Sequence, residues 1–332
     1  MARDDGRVTI YEVADRAGVS ISTVSNVLNK PDRVSLDTRT RVLAAADALG
    51  FVPKAHAATL ARRGTGRIAV MAPFTAYASY LRRLAGILAP AAQDDLDVVV
   101  LDHESAAVAS SPALASMPVH GRLDGVIVMG LGLEPGISQR LRERRLPTVV
   151  VDADSDDFSR VLIDDSAGGR LAAEHLLGRG YQRFGYLLER QIADYESQAI
   201  KRLNGFRSTV RAASAGDVMV ATCENSVSAA RSAAAELLDR PDRPAAVMAH
   251  HDLLAVGALL AARDRGLRVP QDVAIMGFDD GEAAEAADLS TVRQPFEQSG
   301  GAALAVLLGL VNGNSLRSTT MLDVAVVPRA TT

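Results

Sequence analysis

The 332-residue sequence contains a single cysteine, Cys223, and no tryptophan. One thiol excludes an intrachain disulfide and any multi-cysteine metal centre. No apolar run approaches the ~20 residues that a membrane helix needs. The opening MARDDGRVTI places acids where a signal peptide requires an apolar segment. A cytoplasmic location with no membrane partner is therefore expected. Chemical motifs are equally scarce: there is no G-x-x-x-x-G-K-[ST] loop and no G-x-S-x-G elbow. Gly130-Leu-Gly132-Leu-Glu-Pro-Gly136 lacks the dinucleotide spacing, and Pro135 suits a loop better. Enzyme chemistry has no anchor in these patterns, and no cofactor is expected.

What is present is an ordinary globular composition, 48% hydrophobic and 23% charged, long enough for two or three folding units. The formal net charge of -4 argues at first against nucleic acid. It is unevenly spread. Residues 1–66 hold ten Lys/Arg against seven Asp/Glu, and the remainder holds 26 against 33. A small basic head precedes a large acidic body.

Within the head, Thr9-Ile-Tyr-Glu12 fits a capping box opening a helix with Ile10, Val13, Ala14 and Ala17 on one face. Gly18 is a stop. Ser20 caps a second helix, Ser22 to about Asn29, whose Val24, Val27 and Leu28 face inward. Its opposite face carries Ile21, Ser22, Ser25, Asn26 and Asn29. A third helix from Ser35 to Leu49 buries Val42, Ala45, Ala46 and Leu49, and Gly50 ends it. Two short helices joined by an Ala-Gly-Val-Ser turn describe a helix-turn-helix. A plain helical domain has no need of such a clustered polar face, whereas short polar side chains can reach base edges.

From Arg67 onward, apolar strands alternate with helical stretches. One series is Ile68–Met71, Val98–Leu101, Val126–Met129 and Thr148–Val151; another is Phe184–Leu188, Val218–Ala221, Ala246–Ala249 and Val273–Met276. Helices are expected at Tyr80–Gln93, Ala167–Arg179 and Leu253–Arg265. Near-continuous apolar strands with long crossovers imply parallel sheets covered on both faces. The grouping predicts two Rossmann-like subdomains joined near Ile163-Asp164, with ligands at the carboxyl ends of strands. His250-His251-Asp252 raises a metal or catalytic pair. No third ligand has diagnostic spacing, and adjacent side chains at a strand end point apart, so no metal is expected.

Val8 to Asn29, then Val34-Ser35, Thr38-Arg-Thr-Arg-Val-Leu43 and Leu49-Gly-Phe-Val-Pro53, closely resemble the DNA-binding motif of the LacI/GalR repressors. Ala167–Leu177, Arg202-Leu-Asn-Gly-Phe206, Gly266–Pro270, Val273–Asp280 and Leu289–Pro295 are similar to signatures of the same family. The implied fold is an N-terminal all-α helix-turn-helix domain (1–52), a hinge and linker (53–66), and an α/β periplasmic-binding-protein-like core (67–332). The core divides into a first subdomain of about 67–163 and 296–320, and a second of about 164–295 and 321–332 with a strand near Leu322–Val326.

The resemblance implies a homodimeric repressor that binds a pseudopalindromic operator in double-stranded DNA and is released by a small sugar-like effector. Corepressor or activator logic stays open. A transport protein or a sugar-processing enzyme would need features this chain lacks. Ile21, Ser22 and Asn26 take the base-reading positions, with Asn26 where relatives commonly carry arginine. Thr9, Ser20, Thr23, Ser25 and Asn29 take the DNA backbone, and Ala57 and Leu60 the minor groove at the hinge, although Leu60 also suits ordinary helix packing. For the effector, Arg202 and Asp279 match pocket positions, Asp152 lies at a comparable strand end, and His251 departs from the pattern by standing in place of the usual asparagine. Phe74 and Tyr77 are expected to wall the pocket, and Asn225 stands where the family often has an aromatic platform. Asp152 fits a surface ion pair equally well.

Overall fold

The computed structural model describes residues 9–29, 33–49, 65–105, 123–192, 196–314 and 316–332, and the chain forms two compact units, Met1–Thr65 and Gly66–Thr332. In the first, three helices run over Ile10–Ala17 (α1), Ile21–Asn29 (α2) and Leu36–Leu49 (α3). The Thr9 amide and hydroxyl both donate to Glu12 Oε2, at 2.6 and 2.8 Å, so two polar groups at the start of α1 are satisfied within one turn. Gly18 ends α1 at φ +61°, a left-handed geometry open to glycine, and its amide donates to Asp15 O. Ser20 Oγ then accepts the Thr23 amide at 3.1 Å and starts α2. Ser35, expected inside the third helix, instead caps it by accepting the Thr38 amide. Val13, Ala14, Ala17, Val24, Val27, Val42, Ala45 and Ala46 form the buried core of this unit, with Leu49 half-buried beside it.

The second unit holds two parallel sheets, here called lobes. The first-lobe strands are β1 (Arg67–Ala72), β2 (Asp97–Asp102), β3 (Gly125–Met129), β4 (Thr148–Val151), β5 (Ser159–Ile163) and β11 (Thr319–Leu322), in the order β2-β1-β3-β4-β5-β11. Helices α4 (Ser79–Gln93), α5 (Pro135–Glu143) and α11 (Phe296–Val311) belong to this lobe. The second lobe has β6 (Phe184–Glu189), β7 (Val218–Cys223), β8 (Ala246–Ala249) and β9 (Ala274–Met276) in the order β7-β6-β8-β9. Its helices are α6 (Asp165–Gly178), α7 (Gln198–Ala212), α8 (Val227–Leu238), α9 (Asp252–Asp264) and α10 (Glu282–Ala286). Every residue of β3, β4, β6 and β8 is buried, which is why these strands read as unbroken apolar runs. In each sheet the order reverses beside its first strand, the switch point at which such sheets open a crevice.

Two departures from expectation concern half-buried strands. β5 buries only alternate residues, and β11 leaves Thr319 and Met321 exposed at the sheet edge, so neither has an apolar run to betray it. The single strand expected near 322–326 is in fact two. β11 pairs in parallel with β5 of the first lobe, while β12 (Ala325–Val327) pairs antiparallel with β10 (Thr291–Arg293) on the second. Residues through Leu322 thus belong to the first lobe, and the chain passes between lobes near Ile163–Asp164, Gln294–Pro295 and Asp323–Val324. Among the described residues no helix is long and apolar enough to cross a membrane.

Helices α6 and α7 touch backbone to backbone. A Cβ on Gly169 would lie 2.0 Å from Arg202 O, and one on Gly205 would lie 2.0 Å from Ser166 O. This approach brings the first turn of α6 against α7. Alanine is favoured over glycine in a helix interior by about 1 kcal/mol, yet overpacking of this kind costs about 1–3 kcal/mol. Gly205→Ala is therefore expected to destabilise, read as a lower urea midpoint at unchanged m; a higher midpoint would contradict the close contact.

Candidate effector cleft and nucleic-acid interface

The carboxyl ends of β1, β4, β6, β8 and β9 converge on one cavity between the lobes. Tyr77, Tyr80, Arg83 and Asp152 line it from the first lobe; Glu189, Gln198, Arg202, His250, His251 and Asp279 line it from the second. Asp152 and Asp279 sit just past their strands at φ +53° and +114°, conformations L residues rarely adopt. Strain held at both cleft aspartates marks the place where backbone geometry serves side-chain placement.

Arg202, 7% exposed, is the centre of the second-lobe wall. Its Nε donates to Asp165 Oδ1 at 2.7 Å, one Nη donates to His250 O at 2.9 Å, and that nitrogen lies 3.8 Å from Asp279 Oδ1. The guanidinium also rests 3.9 Å above the Phe278 ring. Burial disfavours its charge, but Asp165 and Asp279 outweigh that and raise its pKa. Burial pushes Asp165 up to about 6 even with Arg202 opposing. Burial also raises Asp279, again against the pull of Arg202.

Across the cleft, Arg83 is 2% exposed and bonds Asp152, Ser299 Oγ (3.2 Å) and Gln294 Oε1 (3.2 Å). Gln294 Nε2 in turn donates to Asp279 Oδ1 at 2.5 Å, and Gln198 Nε2 donates to Asp152 O. Asp152, Arg83, Gln294, Asp279, Arg202 and Asp165 thus form one chain of polar contacts running from lobe to lobe, buried except at the half-buried Asp279. Further contacts join the lobes, among them Tyr77 Oη donating to Glu189 Oε1 at 2.9 Å and Asn225 Nδ2 donating to Ala76 O at 3.2 Å. Burial pushes Glu189 up to about 7, and burial with the nearby Glu189 carboxylate drives the Tyr77 phenol far above its usual range.

Five of the six expected effector residues, Tyr77, Asp152, Arg202, His251 and Asp279, line the cavity. Phe74 does not. It packs against the hydrophobic core instead, because the turn after β1 directs it inward while Tyr77 faces the cleft. Asp152 is not a surface pair but a buried partner of Arg83. The expectation that His250 and His251 point apart also fails. Both lie beyond the last residue of β8, where the chain turns into α9 and strand alternation no longer applies, and their rings meet at 4.5 Å. Sequence reasoning missed Arg83, Glu189, Gln198 and Gln294, and raised His250 only as a metal or catalytic candidate before setting it aside. Gln294 lies inside the quoted Leu289–Pro295 stretch and Glu189 at a strand end, which were usable signals; Arg83 offered none.

In the head, Ile21, Ser22 and Asn26 are exposed on α2, while Val24 and Val27 bury the opposite side. Ser20 Oγ lies 2.8 Å from both Ser22 Oγ and Thr23 Oγ1, which ties the start of this face together. Thr9 is engaged with Glu12, and Ser25 is half-buried. The side chains of Leu28 and Asn29, and the hinge residues Ala57 and Leu60, lie outside the described residues.

Removing one member of a buried ion pair costs about 3–5 kcal/mol. Arg202→Leu is expected to lose that much at pH 8, since it leaves Asp165 and Asp279 uncompensated. Both carboxyls bind protons more tightly folded than unfolded, so the variant gains back stability below their folded values and loses it as pH rises. Urea unfolding at pH 5 and pH 8 checks this, and equal losses at both would remove the carboxylates from the account.

Comparison with known proteins accords with both halves. The family model described as bacterial regulatory proteins, lacI family, matches residues 9–54, and a periplasmic binding protein-like domain matches residues 173–332. The HTH-type transcriptional regulator DegA of Bacillus subtilis (strain 168) is 32% identical over 309 residues, covering 89% of this chain and 88% of that one. A structure of the Lac repressor dimer bound to operator and the anti-inducer ONPF matches with a TM-score of 0.76 at 26% identity, over 98% of this chain and 99% of that one. The transcriptional regulator CelR in complex with cellobiose matches with a TM-score of 0.71 at 28% identity, over 98% of this chain and all of that one. The chain belongs to the lacI family of bacterial regulatory proteins and is a transcriptional regulator, not an enzyme.

Proposed function

We propose that this regulator is a repressor that binds a pseudopalindromic operator as a homodimer and leaves it when a sugar-like effector occupies the cleft. The observation that carries the reading is the α2 surface: Ile21, Ser22 and Asn26 face outward from a helix anchored by Val24 and Val27. Ile21, Ser22 and Asn26 read base edges in the major groove, asparagine pairing with adenine. Thr9, Ser20, Thr23, Ser25 and Asn29 contact phosphates, and Ala57 and Leu60 enter the minor groove at the hinge. One such head buries too little for specificity, and two-fold pairing supplies a second half-site. The relative of similar fold that is bound to operator is a dimer, which supports this arrangement.

The cleft suits a hydroxylated ligand. Its wall mixes donors (Arg83, Arg202, the glutamine amides) with acceptors (Asp152, Asp279), and little of it is apolar. A sugar ring offers hydroxyls that donate and accept at once, so it can enter the lobe-to-lobe chain in place of its internal contacts. Arg202 and Asp279 grip, with Asp152, Tyr77 and His251 around them. The cellobiose complex of a similar regulator supports the ligand class. Binding that closes or reopens the lobes shifts operator affinity, typically 5–150-fold in such coupled systems.

Binding-site selection on random duplexes tests the reading. The ligand-free protein is expected to select a palindrome, and a sugar that raises its melting temperature is expected to weaken binding to it. Asn26→Ala is expected to lose about 1–3 kcal/mol of discrimination at one position in each half-site. Unchanged discrimination, or operator binding only when a ligand is added, would overturn the base assignment or the release logic respectively.

A further inference from the structure

We propose that Glu189, His250 and His251 form a binding site for one divalent first-row transition ion, of which zinc is the probe, on the second-lobe wall of the cleft. The site is laid out by strand pairing. β6 and β8 are in register with Leu187 opposite Ala249, so Glu189 and His251 leave the two strands side by side. One ligand atom from each residue falls within 4.8 Å of the others. Glu189 Oε2 is 3.5 Å from His250 Nε2 and 3.9 Å from His251 Nε2. A tetrahedral ion with bonds of ~2.0–2.1 Å has ligand-to-ligand edges of ~3.3–3.5 Å, so the two edges to Glu189 are within a few tenths of an ångström of that geometry, and the His250–His251 edge, within 4.8 Å, closes by ring rotation.

The donors fit that chemistry. Two imidazoles and one carboxylate, with a fourth position open to a cavity, are a familiar set for zinc and its neighbours. The three residues are 3%, 6% and 8% exposed, and His251 Nε2 is buried with no hydrogen-bond partner among the described residues. An unpaired buried nitrogen aimed at a carboxylate is costly unless something sits between them. Among the described residues no arginine or lysine pairs with Glu189, although the other cleft acids Asp152 and Asp279 each have an arginine.

The ligands are not equal. His250 Nδ1 accepts the Glu189 amide at 3.2 Å, which places the ring proton on Nε2 in the ion-free site. Coordination through Nε2 moves that proton to Nδ1 and exchanges the backbone hydrogen bond for a coordinate bond. Glu189 and His251 are therefore the stronger pair. Glu189 Oε1 stays with the Tyr77 hydroxyl of the first lobe, so an ion on Oε2 holds the residue that latches the lobes.

The test uses the full chain stripped of metal by a chelator and dialysed free of it, with neither sugar nor DNA, so its outcome is separate from the proposed function. Zinc titrated against a chromogenic chelator is expected to bind one per chain. Glu189→Gln and His251→Asn are expected to weaken it at least tenfold, while His103→Gln and His175→Gln, outside the cluster, leave it unchanged. Each variant's melting curve without zinc establishes that it folds. Cobalt substituted into the unaltered protein is expected to give the visible absorption of a four-coordinate nitrogen and oxygen site, a readout that needs no variant. No stoichiometric zinc, binding indifferent to Glu189→Gln and His251→Asn, or a purely six-coordinate cobalt spectrum would each overturn the site.

Discussion

A guanidinium with almost no access to water organises this molecule. Arg202 survives burial because Asp165 approaches at 2.7 Å and Asp279 lies beyond at 3.8 Å, and each of those carboxyls depends on backbone choices made elsewhere. Asp165 reaches it because Gly169 and Gly205 let α6 and α7 meet without side chains between them. Asp279 reaches it from a strained turn held by Asp252, which accepts the Gly281 amide at 2.8 Å and the Thr291 hydroxyl at 2.6 Å. Through Gln294 the same network extends to Arg83 and Asp152 on the other lobe. Buried ion pairs of this kind contribute little net stability, since desolvation opposes the attraction. What they supply is a pre-aligned set of donors and acceptors, a sensible arrangement for a cleft whose occupant must compete with its own walls.

The head follows a different economy. Among the described residues its core is eight small or medium aliphatic side chains, and its helix starts are satisfied locally by Thr9, Ser20 and Ser35. Little distant structure is needed to present α2. The outward face of α2 and the lining of the cleft can therefore change independently, since they share no residue and each is held by its own local contacts.

Elements with a strong local signature were legible in the sequence. α1 to α3 announce themselves through caps and a glycine stop, and β3, β4, β6 and β8 through continuous apolar runs. β5, β10 and β11 did not: β5 buries only alternate residues, β10 is three residues long, and β11 is an edge strand with two exposed residues, so none has an apolar run. For the cleft, the resemblance carried Arg202, Asp279 and Asp152 to their positions. It could not carry Arg83 or Glu189, whose partners lie far along the chain: Gln294 is 211 residues from Arg83, and Tyr77 is 112 from Glu189. The histidine pair failed because side-chain direction was inferred from strand alternation where the strand had already ended. Phe74 was placed by its position after β1, and the turn there packs it against the core.

One residue singled out at the start by its rarity acquires a use. Cys223 is the last residue of β7, opposite Glu189 in the β6–β7 register, and 5% exposed. Burial, then the neighbouring glutamates, push its thiol up to about 11. At pH 7 the reactive thiolate is then on the order of one part in ten thousand, so an alkylating reagent finds almost nothing to attack in the closed lobe. Modification has to wait for the edge of the second sheet to part from its covering. The chain's one sulfhydryl is thus a clock set at the edge of the second sheet, and its slow consumption counts how often that edge opens.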